Sequence, residues 1–418
     1  MAVLNTIPRQ CSTTTKPGHA KKTTACILPT LPLEIVEMIC DELNTPDLAS
    51  LMGTCRDAYR LTIRCFAQRY TEIYTDFSQA SFDHIHAIAS NKVMREYVQR
   101  LVILTCEPYL GIGVNWKWSL AGHVKNPMDM AVIKRFRDDL VMRLVHCRSF
   151  IISPIMPEGL AHADEDQDEQ FNPDDVACIL LDIIANAPLP PKIFWYGRGM
   201  NYTSDIMNIS RLPKSLFSHS GFRAGWNALE NLHLEHELTP SNYSFLMDMI
   251  LHAPNVRKLY LSLGPKDLAV EFFSQLSRSG NLPSNLERVT LSFTAIEADD
   301  LISILYQSRH SLQRLILDGV AGLSAGWLTF LAKMKSQFPV LQTIDLNMLY
   351  GEGVIILFPP MKDYPSEKKQ MFKLRSCDNA ALEESGVEKA DIIGITYTGP
   401  EMGMALDVLL EAYENSMV

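Results

Sequence analysis

The run His233-Leu234-Glu235-His236-Glu237 has the residue types that hold a divalent metal. A structural zinc site needs four convergent nitrogen, sulfur or oxygen ligands, usually His and Cys in closely spaced pairs. If this run is a strand, His233 and Glu235 share one face and His236 falls in the following turn, with no Cys nearby. The spacing therefore leaves the site incomplete. Asp164, Glu165, Asp166, Asp168 and Glu169 have enough carboxylates for calcium but lack the ordered Asp, Gly and Glu positions of a calcium loop. They read as a solvated acidic loop. The patterns GxxxxGK[ST], GxGxxG and HExxH are missing from the chain; GxSxG occurs once, at Gly322-Leu323-Ser324-Ala325-Gly326, a short match that by itself does not define a nucleophile. The sequence thus predicts no enzyme, no metal site and no cofactor.

Residues suited to binding emerge from a repeated pattern. Apolar side chains at positions 1, 4 and 6 recur in Leu229-Leu232-Leu234, Val256-Leu259-Leu261, Leu286-Val289-Leu291, Leu312-Leu315-Leu317 and Leu341-Ile344-Leu346. Their starts lie 27, 30, 26 and 29 residues apart. Helical spacing fills the intervals, most clearly at Trp327, Phe330, Leu331, Met334 and Phe338. This alternation predicts an α/β array with a parallel sheet and outer helices, in which each unit buries its apolar face against its neighbours. It resembles a degenerate leucine-rich-repeat solenoid. The Asn usual in that family three residues after position 6 is replaced by Glu237, Gly264, Thr294, Val320 and Leu349.

Side chains alternate along a strand, so positions 3, 5 and 7 should leave the core for the open sheet face. Position 3 holds Asn231, Lys258, Arg288, Arg314 and Thr343; position 5 holds His233, Tyr260, Thr290, Ile316 and Asp345. Lys258, Arg288 and Arg314, with Tyr260 beside them, are candidate contacts for an acidic or phosphorylated segment of a target protein. An ordinary solvated face, with Asp318 offsetting part of the charge, is the alternative.

Fainter units precede these at Val98-Leu101-Ile103, Cys147-Phe150-Ile152 and Ile193–Tyr196, with helical runs at Met130–Val145 and Asp174–Ala185. An acidic insertion spans residues 156–175. Beyond residue 350, a loop around Pro359–Lys369, a strand at Ile392–Tyr397 and a helix at Met402–Tyr413 would close the array.

At the other end, Leu31, Ile35, Ile39 and Leu43 recur every four residues, which predicts a helix with a continuous apolar stripe. Leu33 and Val36 lie off that stripe, so the helix is apolar on more than one side. Pro32 suits the first helical position, Thr45 an N-cap, and Asp47 the positive end of a second helix carrying Leu48 and Leu51. A third helix carries Tyr59, Ile63, Phe66 and Tyr70. Three short helices bury too little surface to be stable alone. Their surplus apolar residues must face a larger core in this chain or another protein.

In order and spacing, Leu31-Pro32-x-Glu34-Ile35, Ile39, Leu43, Asp47-Leu48, Leu51 and Cys55-Arg56 resemble the F-box motif, most closely in the F-box proteins of filamentous fungi. The resemblance implies docking onto the adaptor subunit of an SCF-type cullin–RING ubiquitin ligase through Leu31, Pro32, Glu34, Ile35, Ile39, Leu43, Asp47, Leu48 and Leu51. It makes the chain a non-catalytic substrate receptor. A repeat scaffold unconnected with ubiquitin, its N-terminal helices only capping the array, is the alternative.

The expected domains are a disordered tail at 1–26, the F-box at 27–75, the repeats at 76–350 and a closing repeat at 351–418. The net charge of −10 argues against nucleic-acid binding through bulk charge. No apolar run approaches 18 residues, so no membrane span is expected. Nine scattered cysteines without a CxxC pair suggest an intracellular protein, cytoplasmic or nuclear.

Overall fold

The computed structural model describes residues 28–105, 110–120, 124–153, 171, 173–187, 189–197, 216–265, 267–322, 326–351, 354–355, 358, 371–376 and 392–416. The expectations for the tail, most of the acidic insertion and the loop around Pro359–Lys369 fall outside these residues. The chain forms an α/β fold in two compact units, one of residues 1–150 with 156–171, the other of residues 151–155 with 172–418.

The first unit opens with α1 (Leu33–Glu42), α2 (Thr45–Met52) and α3 (Arg56–Gln68). Pro32 sits at the N-cap of α1, one residue earlier than expected, with extended backbone angles. Asn44, rather than Thr45, caps α2: its side chain accepts a hydrogen bond from the Asp47 N–H at 2.8 Å. Thr45 and Pro46 then occupy the first turn, where Pro lacks only a donor that had no helical partner. The face of α1 turned inward is Val36 and Cys40, both fully buried, and not the predicted four-residue stripe. The small Cys40 lets α3 approach, and the Arg69 guanidinium caps its carbonyl.

Next come β1 (Glu72–Thr75) and α4 (Gln79–Ser90), which the apolar pattern did not reveal, then β2 (Arg100–Leu104), parallel to β1. The Thr71 carbonyl accepts from both the Gln99 and Arg100 N–H groups, which sets this register. α5 (Ala131–Asp138) runs into a wide helical turn at Asp139–Arg143. Asp139 is almost wholly buried, but His86 Nδ1 at 2.9 Å and Arg143 Nη1 at 3.0 Å satisfy its carboxylate. A carboxylate buried without such partners would be costly. The core here is aromatic: Phe77 meets Phe82, Phe136 and Phe171 at centroid distances of 5.2, 5.5 and 5.6 Å.

The chain passes into the second unit within β3 (Ser149–Ser153). There follow α6 (Pro173–Asn186), β4 (Ile193–Gly197), α7 (Ser220–Trp226), β5 (Asn231–Glu235), α8 (Tyr243–Leu251), β6 (Lys258–Ser262), α9 (Asp267–Arg278), β7 (Arg288–Ala295), α10 (Ala298–Tyr306), β8 (Arg314–Ala321), α11 (Trp327–Gln337) and β9 (Thr343–Asn347). From β4 to β9 every neighbouring pair is parallel and consecutive in sequence. The apolar residues at positions 1, 4 and 6 of the five units are all buried. One carbonyl per strand, from Lys192, Glu230, Arg257, Glu287 and Gln313, accepts two N–H groups of the next strand, which repeats the register from unit to unit.

Two expectations change here. Asp174 and Asp175, where the expected acidic insertion and the expected helical run Asp174–Ala185 overlap, follow the helix and leave the insertion: they lie in the first turn of α6 and are buried, with the Tyr196 hydroxyl donating to Asp174. The sheet also does not stay parallel. After the short pair β10 (Tyr350–Gly351) and β11 (Val354–Ile355) come β12 (Lys373–Ser376) and β13 (Ile392–Thr398). β13 runs antiparallel to both β9 and β12. A parallel neighbour needs a crossover that returns the chain to the same end of the sheet. Here β13 re-enters from the opposite end, and α12 (Met402–Ser416) then packs against α11.

The approach of α7 to α6 depends on glycine. A Cβ built at Gly221 would stand 2.3 Å from the Ala185 carbonyl oxygen, a backbone atom with little freedom to retreat. Gly221→Ala is therefore expected to lower unfolding stability by about 1–3 kcal/mol, read from the midpoint of urea denaturation. An unchanged midpoint would mean that the two helices separate at no cost.

Candidate functional site

Two surfaces, one in each unit, carry the residues suited to binding. In the first unit α1 has more apolar surface than its neighbours cover. At 100° per residue Met38, Ile35, Ile39, Leu43, Val36 and Cys40 span an arc of about 200°. Only the Val36–Cys40 side is buried; Ile39, Leu43, Leu31 and Leu51 are half-buried. Leu33, Ile35 and Met38 are 51%, 41% and 63% exposed. Pro32, Glu34 and Asp47 are exposed as well. Leu48, expected among the outward-facing residues, is fully buried, so it holds the helices together instead. Sequence reasoning left Leu33 and Met38 off the candidate surface. The only available signal was that they add to an already wide apolar arc.

Cys40 and Cys147 are buried, and burial pushes both thiols up to about 12. They remain protonated and act as small hydrophobes.

In the second unit the strand register brings the candidate residues side by side. Lys258 is paired with Arg288, and Arg288 with Arg314, on three successive strands. Adjacent strands stand about 4.8 Å apart, so the cations form a row. Arg288 is held below the usual guanidinium range by burial and by the neighbouring Arg314 charge. Among the described residues, none of the three makes an ion pair. The row one residue earlier behaves differently: Lys192 meets Glu230 at 3.2 Å, and Arg257 donates to Glu287 at 2.8 Å. That row alternates in sign and neutralises itself, whereas the position-3 row does neither. Asp318 sits four residues along β8 from Arg314, about 13 Å away, where Asn347 donates to it at 2.7 Å. It does not neutralise the row.

At position 5 the register forms an aromatic ladder. The His233 ring lies between Trp195, at 4.2 Å and 26°, and Tyr260, at 3.7 Å and 8°. Burial holds the His233 imidazole below its ordinary range, against the opposing pull of Glu235, so it stays neutral at pH 7. His236 is instead buried against Tyr196, at 4.3 Å. The two histidines therefore do not share a site. Trp195 was missed in the sequence because its strand shows only part of the repeat pattern. Its pairing with His233 marks it as a position-5 residue.

These features define a class: an α/β protein whose strand–helix units lie side by side and present an open sheet face with an unpaired cationic row and an aromatic ladder. No protein-family model matches the chain, and no curated protein matches it significantly. Among the described residues no helix is long and apolar enough to cross a membrane.

Proposed function

We propose that the chain is a substrate-receptor subunit of an SCF-type cullin–RING ubiquitin ligase. In this reading the three N-terminal helices are an F-box that docks the adaptor, and the strand–helix units are a degenerate leucine-rich-repeat array that receives a target protein. The chain would contribute no catalytic group. It would raise the effective concentration of a target lysine near the transferring enzyme. The observation that carries the reading is the apolar surface of α1, where Leu33, Ile35 and Met38 stay exposed although Val36, Cys40 and Leu48 already supply a core. The cationic row, with Tyr260 beside it, supports an anionic segment as the feature read on the target.

A second reading, a scaffold with its helices as a cap, draws on contacts of α3 inside its own unit. Arg64 Nε donates to the Tyr97 hydroxyl at 3.2 Å, and Asn91 donates to the Tyr59 hydroxyl at 3.4 Å.

The two readings separate in a pull-down of the ligase adaptor with the intact chain and with a variant carrying Leu31→Ala and Pro32→Ala. The receptor reading expects the intact chain to capture adaptor and the double variant to lose at least about tenfold in affinity, the order of one interface hot spot. No capture by the intact chain would favour the scaffold. Equal capture by both forms would remove Leu31 and Pro32 from the contact.

A further inference from the structure

We propose that Trp195 and Glu235 form a receptor for an arginine side chain of the target, at the opposite corner of the sheet face from the cationic row. This rests on the reading that the open face of the second unit receives the target. Trp195 stands at the end of the aromatic ladder described above, with one ring face against His233 and 37% of its surface exposed. Glu235 is two residues along β5 from His233 and pairs in register with Gly197. A Cβ built at Gly197 would lie 2.8 Å from both Glu235 Oε2 and Trp195 Nε1. The carboxylate and the indole therefore converge over a position kept bare by glycine.

Among the described residues no Lys or Arg pairs with this carboxylate. The basic atom described beside it is His233 Nε2 at 3.7 Å, beyond hydrogen-bond distance, on a ring kept neutral by burial. Its side chain is 21% exposed, which leaves it within reach of a ligand. A neutral imidazole behind the indole also avoids setting a positive charge beside the incoming one.

A guanidinium matches this corner in shape and charge. It is planar, so it can stack on the indole, and its fork of N–H donors can engage both carboxylate oxygens. An ammonium offers a point charge without the stacking plane. The face then reads two opposite charges on one target: an acidic group at Lys258, Arg288 and Arg314, and an arginine at Trp195 and Glu235. Glu235 and Arg288 stand two strands and four residues apart, about 16 Å, which sets the separation of the two groups on the target.

The test uses the intact chain with its tryptophan indoles isotope-labelled. The Trp195 N–H signal is assigned as the one lost in Trp195→Phe, and is then titrated with the N-acetyl amides of arginine, lysine and citrulline. The arginine amide is expected to move the Trp195 signal with millimolar affinity. The neutral isostere citrulline should bind at least about tenfold more weakly. Glu235→Gln should abolish the preference for arginine while leaving thermal unfolding unchanged. The proposal is overturned by a Trp195 signal that does not move, by equal shifts with citrulline, or by a preference that survives Glu235→Gln. A lysine amide that matches arginine overturns the assignment to guanidinium. Adaptor capture by α1 depends on other residues, so failure here leaves the ligase reading standing, and the reverse also holds.

Discussion

Reversing Lys258, Arg288 and Arg314 together to Glu abolishes binding of a fluorescently labelled polyglutamate peptide, measured by anisotropy at low salt. The intact chain should bind this probe with an affinity that falls steeply as salt rises, because exposed charges are screened beyond about 10 Å at 0.1 M. A loss of at least about a hundredfold is expected, since three attractive charges become three repulsive ones in the same row. A companion variant separates binding from folding. Arg288 faces two like charges across the sheet, Lys258 and Arg314, and such pairs destabilise by about 0.2–1 kcal/mol. Partial exposure to solvent reduces that cost. Arg288→Gln should therefore leave the urea midpoint unchanged or slightly higher while weakening the peptide. A row kept only for stability would show the opposite order, with stability lost and binding unaffected. If polyglutamate binds the triple variant as well as the intact chain, the cationic row is not an anion site.

The second large effect is on folding. Phe77→Ala should cost about 3–5 kcal/mol, the range for removing a large aromatic side chain from a close-packed core. Phe77 is fully buried and contacts three other phenylalanines, so its loss leaves a cavity walled by rings that cannot all move inward. It also has a backbone φ of +56°, a conformation that L side chains rarely adopt. Packing of the ring outweighs this strain, which is of order 1 kcal/mol. Phe77→Gly, which relieves the strain but leaves the same cavity, should consequently be no worse than Phe77→Ala, although glycine elsewhere is the more destabilising change. Denaturation of both variants, followed through the near-ultraviolet signal of the aromatic cluster, checks the order. Loss of less than about 1 kcal/mol in Phe77→Ala would mean that the cluster collapses to fill the gap.

The five strands from Asn231 to Asn347 were legible because their evidence is local. Positions 4 and 6 of each unit lie two residues apart and so share one strand face, and the turn before the strand brings the apolar position 1 into the same core. The helices between them were legible for the same reason. β1 and α4 were not, because Ile73 and Thr75 make too short a run to stand out and α4 mixes Phe82, Ile85 and Ile88 with Ser, His and Asp. The candidate cations were legible as soon as the strands were aligned. Trp195 was not, because Ile193–Gly197 lacks the full pattern and only pairing with β5 assigns its position.

The order of amino acids alone sets which residues line each face of the repeated strands, because side-chain direction alternates with a period of two and depends on nothing beyond the segment. It also makes the N-terminal helices more apolar than so small a unit needs. Which charges are neutralised depends on the packed fold. Lys192 and Glu230 pair while Lys258, Arg288 and Arg314 do not, because ion pairing depends on residues about 30 apart being set side by side. The packed fold likewise turns Val36 and Cys40 of α1 inward and leaves Ile35 and Met38 outside. An apolar arc wider than the core can bury does not specify its own orientation; the packing of α3 against Cys40 does.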